Sequence, residues 1–439
     1  MCAVPEGSGL KPIYGNRTPT IIDLLLYGRE EIVRRDLERF GDLSYANVFG
    51  RRMVNVMTPT GAETVITNRN RTFVNEPAWN YYIGVAFKRG ILLMDFEEHH
   101  HHRRIMQQAF TNTNLKGYLQ EMQPFIAERI GQFPVGSIRM ADAFKAITLD
   151  LALEVFVGVK LPPAESHAIN KAFGQCLDGM SAVVRHPVPG GKWARALEGR
   201  KVLEGFFYQE LPGKRAKESP DLFSVLCHSV AEDGHVFTDE EVVNHMIFVL
   251  FAAHDTSTTA ITTMAYYMGR YPQWQRQARA RALSMNAEVG YDTLTQMPEL
   301  DLVMKESLRL HPPVPVMLRE ASEDTEIDGH FVPRGTIVSV SPPAIHRNPH
   351  VWADPDKFDP ERFTPERHED KVHRMAWIPF GSGVHKCIGL YFAQMEIKTI
   401  LHNLLRNYEW SVSPDYEWCT DLTTLGLPKG GLPARVHSL

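Results

Sequence analysis

Cysteine is scarce in this 439-residue chain: Cys2, Cys176, Cys227, Cys387 and Cys419 form no C-x-x-C pair and follow no regular spacing. An odd, scattered set favours a reducing compartment over a disulfide framework, so a working thiolate has to be argued from its surroundings. Long apolar runs are missing too. The stretch 246–253 is among the longest, and it falls far short of the ~20 residues that cross a bilayer. The first twenty residues carry no apolar block behind a basic start, which leaves no signal peptide to remove. We expect no transmembrane anchor and a cytoplasmic protein. Neither sign of charge dominates: 47 Lys and Arg stand against 52 Asp and Glu, a formal net charge of −5, and no nucleic-acid partner is expected. Repeats, low-complexity linkers and charge blocks are absent as well, while 44% apolar and 23% charged residues suit a packed core. One continuous catalytic domain over 1–439 is the simplest reading.

Two textures divide the chain. From about residue 21 to 269 apolar side chains mostly recur every three or four positions, as at Tyr118, Met122, Ile126 and Ile130, which predicts helix. From 311 to 380 prolines between Pro312 and Pro379 interrupt every window; a helix interior needs the N–H that proline lacks, so short strands and ordered coil are expected there. Helical spacing resumes after Cys387 through Leu405, and the tail beyond Ser411 reads as turns and strand pieces. The fold class is mostly α with small β-sheets, an α+β arrangement.

One helix stands out. Thr238 and Glu241 make a T-x-x-E capping box, and an apolar stretch follows to a stop at Gly269, Tyr271 and Pro272. About thirty residues at ~1.5 Å each give ~45 Å, enough to cross a whole domain. Its middle, Ala252-Ala253-His254-Asp255-Thr256-Ser257-Thr258-Thr259, is polar where a core helix should be apolar. Hydroxyls bonding back to the preceding turn would bend the helix; a functional site would use them. The residues alone leave both readings open.

The segment Pro379-Phe380-Gly381-Ser382-Gly383-Val384-His385-Lys386-Cys387-Ile388-Gly389 is the most informative stretch. It sets one cysteine in a glycine-rich loop that opens into a helix near Leu390. Backbone N–H groups, the helix N-terminus, Lys386 and His385 together lower the cost of a sulfur anion. This segment resembles the haem-binding loop of the cytochrome P-450 monooxygenases. The resemblance implies that Cys387 is the axial ligand of haem b, its thiolate pushing electron density toward iron to favour O–O cleavage. It also implies that Phe380 packs near the ring and that Gly389 leaves room beside the sulfur. Glu306 with Arg309 resembles the family's E-x-x-R pair, and Pro360-Glu361-Arg362-Phe363 its P-E-R-F segment; Glu306, Arg309 and Arg362 are then a buried structural network behind the loop.

The run His99-His100-His101-His102 could suggest a metal site. Consecutive helical residues point ~100° apart, however, so only His99 with His102 or Arg103 shares a face. The resemblance gives His99, Arg103, Arg319 and His385 as contacts of the haem propionates, a task that suits the bidentate arginine fork. It places haem between the long central helix and the cysteine loop. Thr256 and Asp255 then become the catalytic relay that gives O–O heterolysis its two protons, while Tyr81, Tyr82, Phe87, Ala252 and Ala253 line a pocket for a lipophilic substrate. Ala253 replaces the family's usual glycine. The implied reaction inserts one oxygen atom of O2 into a sterol, terpenoid or fatty-acid-like molecule. No flavin or iron–sulfur module fits in the chain, so electrons are expected from a separate ferredoxin or flavodoxin with its reductase, drawn to Arg103, Arg104 and Lys386. The fragments near His254 and after Phe392 resemble those of the sterol 14-demethylase branch. A haem-thiolate peroxygenase or isomerase, and a non-catalytic haem gas sensor, are the alternatives.

Overall fold

The proline-rich span carries short strands separated by turns and coil, because proline denies long helices their N–H donors. In chain order the strands are β1 (Leu43–Val48), β2 (Arg51–Val56), β3 (Phe73–Val74), β4 (Gly136–Arg139), β5 (Met317–Ala321), β6 (Thr325–Ile327), β7 (His330–Val332), β8 (Ile337–Val340), β9 (Tyr408–Ser411) and β10 (Pro433–Ser438). The structure is a computed structural model that describes residues 4–16, 28–48, 50–159, 161–231, 234–422 and 424–439. Cys2 and residues 21–27 of the expected helical span lie outside it. The chain divides into two compact units: Met1–Tyr82, Leu92–Phe96 and Lys305–Cys387 form the first, and Ile83–Ile91, Glu97–Met304 and Ile388–Leu439 the second.

In the first unit five strands pair in the order β1-β2-β8-β5-β3. β2 and β8 run parallel, Met53 opposite Ile337 and Val56 opposite Val340, and the remaining pairs are antiparallel. Val54, Val56, Phe73, Val338 and Val340 pack with Val65, Ile66, Met375 and Ile378 into a core, the apolar burial that holds a sheet. Residues 43–56 depart from the helical texture expected of them. The Asn47 side chain accepts the Gly50 N–H at 3.0 Å, and Gly50 has φ 80°, so the chain turns back on itself. The strand that secures this hairpin, β8, lies some 280 residues downstream, beyond the reach of any local pattern.

In the second unit the long helix runs Asp239–Arg270, 32 residues, with the predicted capping box in place. Thr238 Oγ1 accepts the Glu241 N–H at 3.3 Å and Glu241 Oε2 accepts the Thr238 N–H at 2.8 Å, a cap worth about 1 kcal/mol. Near its end Gly269 is required by space: a Cβ there would meet Val412 Cγ2 at 2.8 Å. The helix Asn112–Gly131 buries Tyr118, Met122, Ile126 and Ile130, and the helix after the cysteine loop runs Leu390–Asn407. Strands β4, β10 and β9 form a separate small sheet. Among the described residues no helix is long and apolar enough to cross a membrane.

Candidate functional site

Cys387 closes a loop that its own backbone holds in shape. The Cys387 N–H donates to Phe380 O at 2.8 Å, Gly381 N–H to Ile378 O at 3.1 Å and Lys386 N–H to Gly383 O at 3.2 Å. Gly381 and Gly383 have φ of 68° and 63°, a region that penalises any side chain. A Cβ on Gly383 would also stand 3.0 Å from Ile66 O. This packing leaves the Cys387 side chain exposed, and Gly389 begins the helix that carries the chain onward.

Behind the loop, sequence order becomes a buried ion network. Arg309 grips Glu306 with both prongs, Nε to Oε2 at 2.6 Å and Nη2 to Oε1 at 2.9 Å. Asp359 N–H donates to Glu306 Oε1 at 2.8 Å, and Arg362 Nε lies 3.4 Å from the same oxygen. All three side chains are essentially inaccessible. Arg309 also donates to His346 O at 2.7 Å and Pro355 O at 2.6 Å, and Arg362 to Asp354 O at 2.8 Å. Sequence reasoning missed His346, which joins this network to the loop: its Nε2 accepts the Ile378 N–H at 2.9 Å, so its Nδ1–H donates to Arg309 O at 3.1 Å. Burial pushes His346 down to about 3, with the charge of Arg309 adding to it. No local pattern marks this histidine.

In the same unit Arg319 is 6% exposed, and its guanidinium donates to Leu318 O at 2.8 Å. Among the described residues no carboxylate lies within ion-pair distance of it. Asp95 acts on it electrostatically, but the Asp95 carboxylate already accepts the N–H groups of Asn75 and Glu76 at 2.6 and 3.0 Å. Burial, partly opposed by Asp95, pushes Arg319 down to about 10. A buried cation in this position calls for an anion. The His385 ring stands 3.0 Å from Asn75 Nδ2. Tyr81 lies under the Arg51 guanidinium at 5.1 Å and edge-on to Tyr82 at 5.0 Å.

In the second unit His99 and Arg103 lie one turn apart on the helix Phe96–Gln107; His99 is buried and Arg103 half-buried. His102 is spent on a neighbouring ring, its Nδ1 2.8 Å from His245 Nε2. Phe87 is fully buried and stacks on Phe251 of the long helix at 4.3 Å. Midway along that helix Ala252 is exposed and Ala253 and Thr256 are half-exposed, breaking a row that is otherwise buried. The Thr256 hydroxyl donates to Ala252 O at 2.6 Å, the back-bond expected of hydroxyls here. Asp255 is buried, 3.1 Å from His254 Nδ1 and 3.8 Å from Lys145 Nζ.

Next to Thr256, Ser257 Oγ donates to Glu396 Oε2 at 2.6 Å, a contact that sequence reasoning also missed. Its signal was legible: Glu396 falls on the apolar stripe formed by Phe392, Met395 and Ile400. Burial raises Glu396 to about 8, against the smaller opposing effect of Ser257. Unfolding then releases its proton, so stability is lost as pH rises from 4.5 to about 8. Glu396→Gln removes that loss, and thermal melts across the window should show a smaller fall in Tm for the variant than for the parent.

For the haem that the resemblance implies, the donor set fits. An exposed cysteine sulfur on a rigid loop can ligate iron, and a buried guanidinium lacking a carboxylate partner can take a propionate. The sequence matches the family model described as Cytochrome P-450 over residues 12–434. It is 40% identical over 441 residues to cytochrome P-450 136 of Mycobacterium tuberculosis, covering 98% of this chain and 89% of that one. It is 26% identical over 394 residues to the sterol 14alpha-demethylase of Mycolicibacterium vanbaalenii, covering 87% of each. Its fold is similar to that of a solved retinoic acid-bound cyanobacterial cytochrome P-450, with a TM-score of 0.89 at 24% identity over 98% of this chain and 99% of that one.

Proposed function

This chain belongs to the cytochrome P-450 family, and on that premise we propose that Cys387 is the thiolate ligand of its haem, that Thr256 and Asp255 handle the protons of its reaction, and that its substrate is lipophilic. Membership carries haem b and an oxidoreductase activity: one atom of O2 enters an organic compound and the other leaves as water, at the cost of two electrons and two protons. The haem supplies the redox chemistry, and the protein supplies orientation, protons and exclusion of water.

The exposed sulfur of Cys387 at the end of a glycine-shaped loop carries the reading. Arg319, His385, His99 and Arg103 would hold the propionates, and Phe380 and Gly389 would face the ring. Glu306, Arg309 and Arg362 keep the loop in register. Thr256 presents a half-exposed hydroxyl that can leave its back-bond to Ala252 and donate to the reacting oxygen, and the Asp255 carboxylate resupplies it. Thr256→Ala should therefore send electrons to hydrogen peroxide and lower product per NADH by on the order of tenfold. Unchanged coupling, measured as product and peroxide against NADH consumed, would remove Thr256 from the relay.

Tyr81, Tyr82, Ala252 and Ala253 offer aromatic and small apolar surface to the substrate, and Phe87, buried against Phe251, backs it. That surface favours a sterol, a terpenoid or a fatty-acid-like chain, in keeping with a relative named for a sterol. Titration with lanosterol, retinoic acid and lauric acid tests it. A type I spectral shift with one of them supports the class, and silence from all three sinks it. Electrons come from a ferredoxin or flavodoxin with its reductase, drawn to Arg103, Arg104 and Lys386.

A further inference from the structure

His254 is a fully buried ring whose two nitrogens both face oxygen. Its Nε2 lies 3.3 Å from the carbonyl oxygen of Lys145, and its Nδ1 lies 3.1 Å from Asp255 Oδ1. Neither Nδ1 nor Oδ1 has another hydrogen-bond partner among the described residues. A neutral imidazole carries one hydrogen, so it can donate to only one of these oxygens and must turn a lone pair toward the other. A carbonyl cannot donate back, and neither can a carboxylate. Two acceptors facing each other in a buried place are costly. One additional proton removes the conflict, because an imidazolium donates at both ends.

Asp255 favours placing that proton on the ring. Burial alone would raise its carboxyl, but the hydrogen bond and charge of His254, followed by the charge of Lys145, outweigh burial and hold it below its ordinary value. Lys145, on the helix Met140–Ala152, meets both partners. Its backbone carbonyl faces the ring, and its ammonium stands 3.8 Å from the same Oδ1, on a side chain that is 44% exposed. Phe173 stands edge-on to the imidazole at 5.5 Å, and Thr148 on the lysine helix bonds Thr258 on the long helix at 2.7 Å.

We propose that His254 and Asp255 hold one proton in common, that Lys145 connects this pair to solvent, and that the shared proton is the store from which Thr256 is supplied. The proposal rests on the reading of Asp255 and Thr256 as the proton relay. In each delivery the proton leaves the Nδ1–Oδ1 contact for the Thr256 hydroxyl, which passes its own proton to the reacting oxygen. A solvent proton then refills the pair, and no electron moves within it. His254 and Lys145 are positioning residues acting through Asp255.

Nitrogen-15 NMR of the diamagnetic, ferrous carbon monoxide-bound holoenzyme reads the proton directly. The His254 signals are identified by their loss in His254→Gln. Both ring nitrogens should be protonated at neutral pH, and Asp255→Asn should return the ring to a singly protonated form. A singly protonated ring in the parent enzyme overturns the proposal. Oxidation of a lipophilic dye by O2, with electrons from NADH through a surrogate ferredoxin and reductase, provides the functional arm without needing the natural substrate, since hydrogen peroxide would bring both protons itself. His254→Gln should lower its rate by on the order of tenfold, and should add little in a Thr256→Ala background. Lys145→Met should slow it less, and Lys145→Arg should restore it. If the glutamine variant fails to take up haem, Asp255→Asn identifies the resonance and Lys145→Met carries the rate measurement. Unchanged rates in Thr256→Ala and Asp255→Asn would defeat the relay itself. Lowered rates in those two, with a normal rate in His254→Gln and Lys145→Met, would defeat only the shared store.

Discussion

Cys387→Ser should abolish the far-red Soret band of the reduced, carbon monoxide-bound enzyme and bring monooxygenase turnover to background, while leaving the fold intact. A serine hydroxyl does not ionise near neutral pH, so it offers iron neither the charge nor the electron donation of a thiolate. The bond from residue 387 to Phe380 O is made by the backbone N–H and survives the substitution. Cys387 is also exposed, so the polypeptide itself should change in stability by no more than about 0.5 kcal/mol, and any larger loss reports the missing metal ligand. The absorption spectrum and a denaturant melt, taken on the same sample, separate the two effects. A variant that keeps the thiolate band would remove Cys387 from the iron, and the functional reading with it.

Glu306→Ala should have the largest effect on stability. It leaves the Arg309 and Arg362 guanidinium groups buried without their shared carboxylate. Breaking a buried pair in this way costs about 3–5 kcal/mol, a large part of the about 5–15 kcal/mol that holds a typical domain together. The variant should accumulate poorly, melt early and bind substoichiometric haem. Glu306→Gln keeps an acceptor for Arg309 and Asp359 N–H and should lose less. A haem-to-protein ratio near one in the alanine variant, with an unshifted Tm, would show that the network does not brace the loop.

Much of this was legible in the residues. The capping box at Thr238 and Glu241 and the stop near Gly269 mark the long helix because caps and breakers act locally. The cysteine loop could be read from its glycines because positive φ leaves few other choices. Glu306, Arg309 and Arg362 form their ion network as their order suggested. What escaped are pairings between distant segments. The hairpin 43–56 looked helical because its partner strand β8 lies far along the chain. His346 and Glu396 take their roles from Ile378 and Ser257, which no spacing connects to them. Lys145 meets Asp255 only through the packing of one helix on another.

How His346 is held contributes to the acid limit of the enzyme, as do the buried rings of His102, His245 and His311. Folded, the His346 ring refuses a second proton until about pH 3; unfolded, it accepts one near pH 6.5. Between those values acid is a ligand for the open chain alone, so each step down in pH draws the equilibrium toward unfolding. The same ring ties Ile378 to Arg309. Acidification therefore opens the whole chain rather than loosening the cysteine loop within the folded state, and pigment loss on acidification should track global melting rather than precede it.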